Sequence, residues 1–151
     1  MRRLACGMFF FLLLGGAPAA WAGPAEEAAQ ILHQWVQAYH QGNAEAVGGL
    51  YAPDAVFISA LSPFRVEGRD AIRAAYAGGF RTFPTRVLVH RQVSTRAYGG
   101  TAVTDTYWSL TVVDAKGNAR TYHGRGTIVS EEVQGQRVIV SHHHSLLPAS
   151  P

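Results

Sequence analysis

Cysteine is all but missing: the 151-residue chain has one, Cys6, ahead of the apolar run Met8–Leu14. Because residues 1–22 read as a removable leader, the remaining chain has neither disulfide nor thiol chemistry, and its stability must come from packing. The place of Cys6 before the apolar run also argues against a lipid-attachment cysteine. No apolar run approaches the roughly 20 residues a membrane helix needs. There is no cluster of Lys and Arg interleaved with aromatics, which excludes an ordinary nucleic-acid surface. H-E-x-x-H, Gly-rich phosphate-loop, G-x-S-x-G and paired-cysteine motifs are absent, and the commonest metalloprotease, nucleotide-binding and hydrolase readings go with them. Repeats, linkers and low-complexity tracts are missing as well.

What is present begins with Met1-Arg2-Arg3, the short apolar run, and Ala20-Trp21-Ala22 before Gly23. A basic start, a short apolar segment and a small-x-small exit predict a secretory signal peptide over residues 1–22, cleaved after Ala22. Residues 23–151 then make one domain, secreted or periplasmic, with no stable membrane span. The formal charge of +3 includes Arg2 and Arg3, so the mature chain carries 11 basic and 10 acidic residues. All seven histidines stay, and unperturbed they titrate between about pH 5 and 8.

Ala28, Ile31, Leu32, Trp35, Val36 and Tyr39 recur at three- and four-residue steps, which predicts an amphipathic helix from Pro24 to Gln41 stopped by Gly42. Asn43 is placed to cap a second helix, Ala44 to Tyr51. Pro53-Asp54 should break it, and Ala55–Ile58 reads as a short strand. Ser62–Gly68 is a loop or small hairpin, and a third helix runs from Arg69 to about Ala77, ended by Gly78-Gly79. Strands follow at Thr85–Ala97, Thr101–Val113, Ala119–Glu131 and Gln136–Leu146, separated by hairpin turn chemistry. Helices first and an antiparallel meander afterwards predict an α+β roll, with the N-terminal helices packed on a curved, mainly antiparallel sheet.

The three consecutive histidines His142, His143 and His144 must alternate between the faces of a strand, so at most two can serve one site. Pairing the strands through simple turns puts Val87, Val89, Val93, Trp108, Leu110, Tyr122, Ile128, Ile139, Ser141, His143 and Ser145 on one face. His90, Gln92, Ser94, Asp105, Tyr107, His123, Arg125, Thr127, His142 and His144 fall on the other. A one-residue bulge would swap part of either set. The first face is the more apolar and should be covered by the helices, with Gly124 and Gly126 leaving room in its concavity.

His143 would then intrude among apolar neighbours, either bonded within the core or facing a ligand beside Trp108, Tyr122 and Ser145. Trp35, Tyr39, Tyr51, Phe57, Phe64 and Phe80 serve either as plain core or as pocket wall. On the other face Asp105 can orient His142 as a general base, or the face is simply solvated or a subunit contact. No metal is expected, the alternative being a site of Asp105, His142 and His144.

Several stretches carry a resemblance: Trp35-x-x-x-Tyr39, Gly42-Asn43 through Leu50-Tyr51-Ala-Pro-Asp54-Ala-Val-Phe57, Gly68-Arg69-Asp70-Ala-Ile72, Arg125-Gly-Thr127 and the closing Val-Ser-His-His-His-Ser. Together they resemble the nuclear-transport-factor-2-like superfamily, and within it the SnoaL-like proteins and the association domain of calcium/calmodulin-dependent protein kinase II. The resemblance implies a cone-shaped cystatin-like roll with a pocket between helices and concave sheet, in a homodimer or larger homo-oligomer joined through the sheet. It also implies that His143 occupies the family's recurrent histidine position near the chain end, with Trp35, Tyr39, Tyr51, Phe57 and Trp108 on the pocket wall. The kinase domain's pocket arginines correspond here to Trp108, Ile128 and a position near His144, which implies a more apolar pocket. The Asp/His or Asp/Tyr pair of the family's enzymes has no match on the apolar face.

The expected function is an exported domain that binds a small molecule in an aromatic, partly apolar pocket without a cofactor. Its ligand-binding residues are Trp35, Tyr39, Tyr51, Phe57, Phe64, Trp108, Tyr122, His143 and Ser145. The alternatives are a cofactor-independent isomerase or dehydratase with His143 as the catalytic residue, and an oligomerisation scaffold like the kinase domain.

Overall fold

The structure, a computed structural model, describes residues 23–148. The leader expected over residues 1–22 lies outside the described residues. Helix α1, Pro24–Gln41, starts with Pro24 in its first turn beside Glu26 and Glu27, where the helix dipole favours carboxylates. It ends at Gly42, whose φ of 69° is the left-handed cap that glycine adopts without strain. Its buried stripe is Ala28, Ile31, Leu32, Trp35 and Ala38. In α2, Ala44–Gly49, Asn43 Oδ1 accepts the Ala46 N–H at 2.9 Å.

This second helix is shorter than the sequence suggests. Tyr51 opens strand β1, Tyr51–Ile58, instead of closing α2, and the exposed Pro53-Asp54 pair lies within β1 where its register with β6 shifts. A proline is tolerated in a strand where the ladder is already interrupted. After the two-residue strand β2, Val66–Glu67, helix α3 covers Arg69–Thr82, running through Gly78-Gly79. Each interior glycine costs about 1 kcal/mol against alanine. Continuing the helix carries Phe80 onto Tyr39 and Tyr76, at ring-centroid distances of 5.4 and 5.9 Å, and tertiary packing overrides the local preference.

Strands β3 (Thr85–Tyr98), β4 (Thr101–Val113), β5 (Ala119–Val133) and β6 (Gln136–Leu146) form the antiparallel meander. The six-stranded sheet has the order β2-β1-β6-β5-β4-β3, with β1 parallel to β6 and every other pair antiparallel. One face packs on the helices, and the core is gathered there around Trp35, Tyr51, Ile72, Trp108, Ile128 and Ile139. The result is the expected α+β roll.

Two bulges decide which residues that face presents. In β6, Ser130 pairs with Ile139 but Val129 with Ser141, so Val140 is extra and every later residue changes face. In β3, Arg91 pairs with Tyr107 and Ser94 with Asp105, so Gln92 and Val93 together oppose Thr106, and Gln92 takes a φ of 49°. His142 and His144 therefore point inward with Leu88 and His90, while Ser141, His143 and Ser145 point outward. Val87, Val89 and Val93, expected inside, are exposed. The assignment by simple turns fails in β3 up to its bulge and in β6 beyond Val140, and holds for Trp108, Leu110, Tyr122, Ile128 and Ile139. Among the described residues no helix is long and apolar enough to cross a membrane.

Candidate functional site

A cavity of about 290 Å³ lies between the helices and the inner sheet face. Trp35 and Tyr39 come from α1, Phe57 from β1, Tyr76 and Phe80 from α3, and Leu88, Trp108 and His144 from the sheet. Spacings of four in both helices put each pair of rings on one side, one turn apart. Trp35 stacks on Tyr39 at 5.2 Å between centroids, and Phe57 on Tyr76 at the same distance. On the sheet, Gly124 lies opposite Trp108 and Gly126 opposite His144. A methyl group at either glycine would overlap the facing ring, so these glycines set how deep Trp108 and His144 sit.

Behind the aromatic wall runs a chain of hydrogen bonds. The Trp35 Nε1–H donates to the Tyr51 hydroxyl at 3.1 Å. Tyr51 also meets the Tyr76 hydroxyl at 3.2 Å and His142 Nδ1 at 2.7 Å. His142 Nε2 meets His144 Nε2 at 2.8 Å. His144 then lines the cavity, and its Nδ1 engages no described residue. Beside this chain, His90 Nδ1 pairs with Thr106 Oγ1 at 2.9 Å. Trp108 Nε1–H and His90 Nε2 are buried without a hydrogen-bond partner.

The chain runs through a region that disfavours charge. Burial pushes His142 well below the ordinary histidine value, reinforced by His144, His90 and His143. Burial, with His90 and His143 behind it, brings His144 down to about 3, and burial with His40 behind it brings His90 down to about 4. Burial raises the Tyr51 and Tyr76 hydroxyls above the ordinary phenol value. The groups are therefore neutral at physiological pH. Two neutral imidazoles meeting Nε2 to Nε2 must be opposite tautomers, one donating and one accepting. At the mouth Arg86 lies over the Phe80 ring at 4.0 Å, its Nε and one terminal nitrogen donating to the Tyr39, Phe83 and Pro84 carbonyls.

Of the residues singled out from the sequence, Trp35, Tyr39, Phe57 and Trp108 line this cavity. Tyr51 is fully buried behind the wall and links Trp35, Tyr76 and His142. Tyr122 packs on the core away from the lining. Phe64, at 79 % exposure, lies on the surface. His143 and Ser145 sit in a hollow on the opposite side of the sheet, with Asp105, Tyr107 and Thr127. There Asp105 accepts from Thr127 Oγ1 at 2.8 Å and pairs with Arg96. The sheet thus separates Asp105 from His142 and His144, and that trio is not brought together as a metal site. Among the described residues no cluster of three or more His, Cys, Asp or Glu could hold a metal ion.

Sequence reasoning missed the inward placement of His142, His144 and His90 and did not single out Tyr76, whereas Phe80, weighed as core or pocket wall, joins the lining. One signal was available: Val138-Ile139-Val140 is a run of three β-branched residues that strict alternation cannot serve. Both Val138 and Ile139 are buried.

The sequence profile of the SnoaL-like domain matches residues 28–150. The chain belongs to the SnoaL-like domain family. No curated protein matches it. Among solved structures, this SnoaL-like chain is similar to a proposed calcium/calmodulin-dependent protein kinase II association domain from Xanthomonas campestris. That pair is 27 % identical, covers 89 % of this chain and 95 % of the other, and has a TM-score of 0.75. A nuclear-transport-factor-2-like protein from Salmonella enterica is 20 % identical over 85 % of this chain and 94 % of its own, with a TM-score of 0.76. A proposed dehydratase of the same superfamily from Streptomyces avermitilis is 17 % identical over 82 % and 97 %, with a TM-score of 0.73. The last two likenesses are likenesses of fold.

Proposed function

We propose that the protein takes a small, largely apolar carbonyl compound into the inner cavity and moves a proton on it, as an isomerase or dehydratase. The observation that carries this reading is the position of His144: a neutral imidazole on an aromatic wall, hydrogen-bonded through Nε2 to a second neutral imidazole, with Nδ1 left for a ligand. The cavity is at the small end of ligand sites, which suits a compound of one or two rings. Its walls supply stacking surfaces, Trp35, Tyr39 and Trp108 among them. Positioned acid–base groups of this kind contribute about 10²- to 10⁴-fold to rate. The dehydratase name of one structural relative supports the class at the level of fold only.

A second reading, binding without turnover, rests on the same rings. The reading also keeps the protein outside the cytoplasm, on the strength of the Arg2-Arg3 start, apolar run and Ala20-Trp21-Ala22 exit. The exposed Val87, Val89, Val93 and Tyr107 of the outer sheet face support a homo-oligomer, which native mass spectrometry checks.

A titration with cyclohex-2-enone and 2-tetralone, followed by proton–nitrogen NMR, tests the site. Shifts at the Trp35 and Trp108 indole signals, lost in Trp108→Ala, are the expected result. Shifts confined to Tyr107, Thr127 and His143 would move the site to the outer hollow and overturn the reading.

A further inference from the structure

Tyr51 is the point where the buried hydrogen-bond chain becomes directional. A tyrosine hydroxyl has one proton to donate and two lone pairs to accept with. The Trp35 indole can only donate, so it occupies one lone pair permanently. One lone pair and one proton then remain for two partners, Tyr76 OH and His142 Nδ1. If Tyr51 donates to His142, it must accept from Tyr76; if it donates to Tyr76, it must accept from His142.

The choice propagates to both ends. When Tyr51 donates to His142 Nδ1, His142 carries its proton on Nε2 and donates to His144 Nε2. His144 then presents an Nδ1–H. When His142 donates from Nδ1 to Tyr51, its Nε2 accepts from His144, and His144 presents a bare Nδ1. In that second order Tyr51 donates to Tyr76, whose own proton has no acceptor among the described residues. Tyr76 and His144 both line the same cavity.

We propose that Tyr76, Tyr51, His142 and His144 form a two-ended proton wire, with the Tyr76 hydroxyl and His144 Nδ1 as its ends in one cavity. A bound molecule gives a proton to one end and receives one from the other. The steps balance without any group becoming charged. A C–H beside a carbonyl passes its proton to His144 Nδ1, the His144 Nε2–H goes to His142 Nε2, and the His142 Nδ1–H goes to Tyr51. The Tyr51 proton goes to Tyr76, and the Tyr76 proton goes to the acceptor atom of the bound molecule. That acceptor is a carbon in an isomerisation or a departing hydroxyl in a dehydration, where water leaves and a C=C bond forms from the C–H electron pair. Water entering the emptied cavity restores the starting order.

The wire also answers a difficulty in the proton-transfer reading, on which its chemistry rests. A lone imidazole held as low as His144 is a weak base. Passing one proton on while another arrives avoids the imidazolium that burial disfavours. The substrate class narrows accordingly, to neutral ketones or enones with an acidic C–H and a second site that accepts a proton. Carboxylates are poor candidates, since no described cation other than Arg86 lines the cavity.

The test is NMR of the protein labelled with ¹⁵N-histidine at neutral pH. The expected result is a nitrogen–nitrogen coupling across the His142–His144 hydrogen bond, with both rings neutral and of opposite tautomer. In Tyr76→Phe, Tyr51 can donate only to His142, so both rings should shift toward the order with protons on His142 Nε2 and His144 Nδ1. Rings of the same tautomer, a charged ring, or a missing coupling in the unaltered protein would overturn the wire. So would tautomers indifferent to Tyr76→Phe while the Trp35 and Trp108 signals stay in place. If that variant does not fold, the unaltered protein's coupling and tautomers decide alone. Tautomers that respond as expected, in a protein that moves no proton on any ketone, would remove the enzyme reading and the transfer steps while keeping the hydrogen-bond order. Proton movement that survives in Tyr76→Phe but is lost in His144→Ala would instead keep the enzyme and remove the wire.

Discussion

His142 and His144 meet Nε2 to Nε2 at 2.8 Å, two residues apart on one strand face, with Tyr51 behind the first ring and the cavity in front of the second. Side chains at i and i+2 of a strand normally stand apart, about two residue rises away. Here the rings lean together because Gly126 leaves His144 a place to lie, and because Trp35 and Phe57 close around His142 at 5.3 Å between centroids. The contact fixes two imidazoles as a donor and an acceptor, and this makes a buried pair useful for proton transfer.

Stability should fall on mild acidification. Unfolded, His90, His142 and His144 take the ordinary value near 6.5; folded, all three lie below it, at about 4, well below, and about 3 respectively. The unfolded chain therefore binds more protons between those values. The stabilisation is complete above about pH 6.5 and is lost as pH drops. Each ring contributes at most about 1.4 kcal/mol per pH unit, less where solvent reaches it. Urea midpoints should drop clearly from pH 7.5 to pH 5, and His142→Phe should flatten the slope. A midpoint constant over that range would contradict the burial of neutral rings.

Gly126→Ala and Gly124→Ala should each destabilise the fold by about 1–3 kcal/mol, the usual cost of forcing volume into a packed site. Their effects on the site should differ. Gly126→Ala displaces the His144 ring and should abolish the coupling between the two imidazoles, whereas Gly124→Ala displaces Trp108 and should leave it intact. Urea melts and histidine NMR of both variants measure this.

Arg137→Ala should be among the more damaging substitutions outside the cavity, at about 2–4 kcal/mol. Its buried guanidinium pairs with Glu27 at 2.7 Å and donates to the Gly100 and Ser130 carbonyls at 3.0 and 3.2 Å, tying α1 to the sheet and the β3–β4 turn. Glu27→Gln, which keeps an acceptor on a partly exposed residue, should cost under about 1 kcal/mol. Equal losses from the two would assign the effect to the ion pair instead of the buried donors.

The fold was legible in the sequence because periodicity and turn chemistry are local. Ala28 through Tyr39 spell one face of a helix, and Gly99-Gly100 and Gln134-Gly135 mark hairpins, so the α+β roll follows. The site was half legible. Trp35, Tyr39, Phe57 and Trp108 lie on elements whose phase the pattern fixes. His142, His143 and His144 lie beyond Val140, where one extra residue reverses the phase, and the stability of that bulge depends on what packs over Val138 and Ile139. Leu88 was hidden in the same way, since Val87 and Val89 offered a more apolar set for the core while the Gln92–Val93 bulge turned them out. Tyr76 lies within the helix the pattern predicts, but Phe80 needed α3 to run through two glycines, which its packing on Tyr39 and Tyr76 explains.

The most direct measurement is deuterium incorporation into cyclohex-2-enone and 2-tetralone in D2O, read by mass spectrometry with and without the protein. The account predicts uptake at carbons beside the carbonyl that is faster than background, and that falls by about 10²- to 10⁴-fold in His144→Ala and not in His143→Ala. Uptake that persists in His144→Ala and disappears in His143→Ala would place the chemistry on the outer face of the sheet and contradict it.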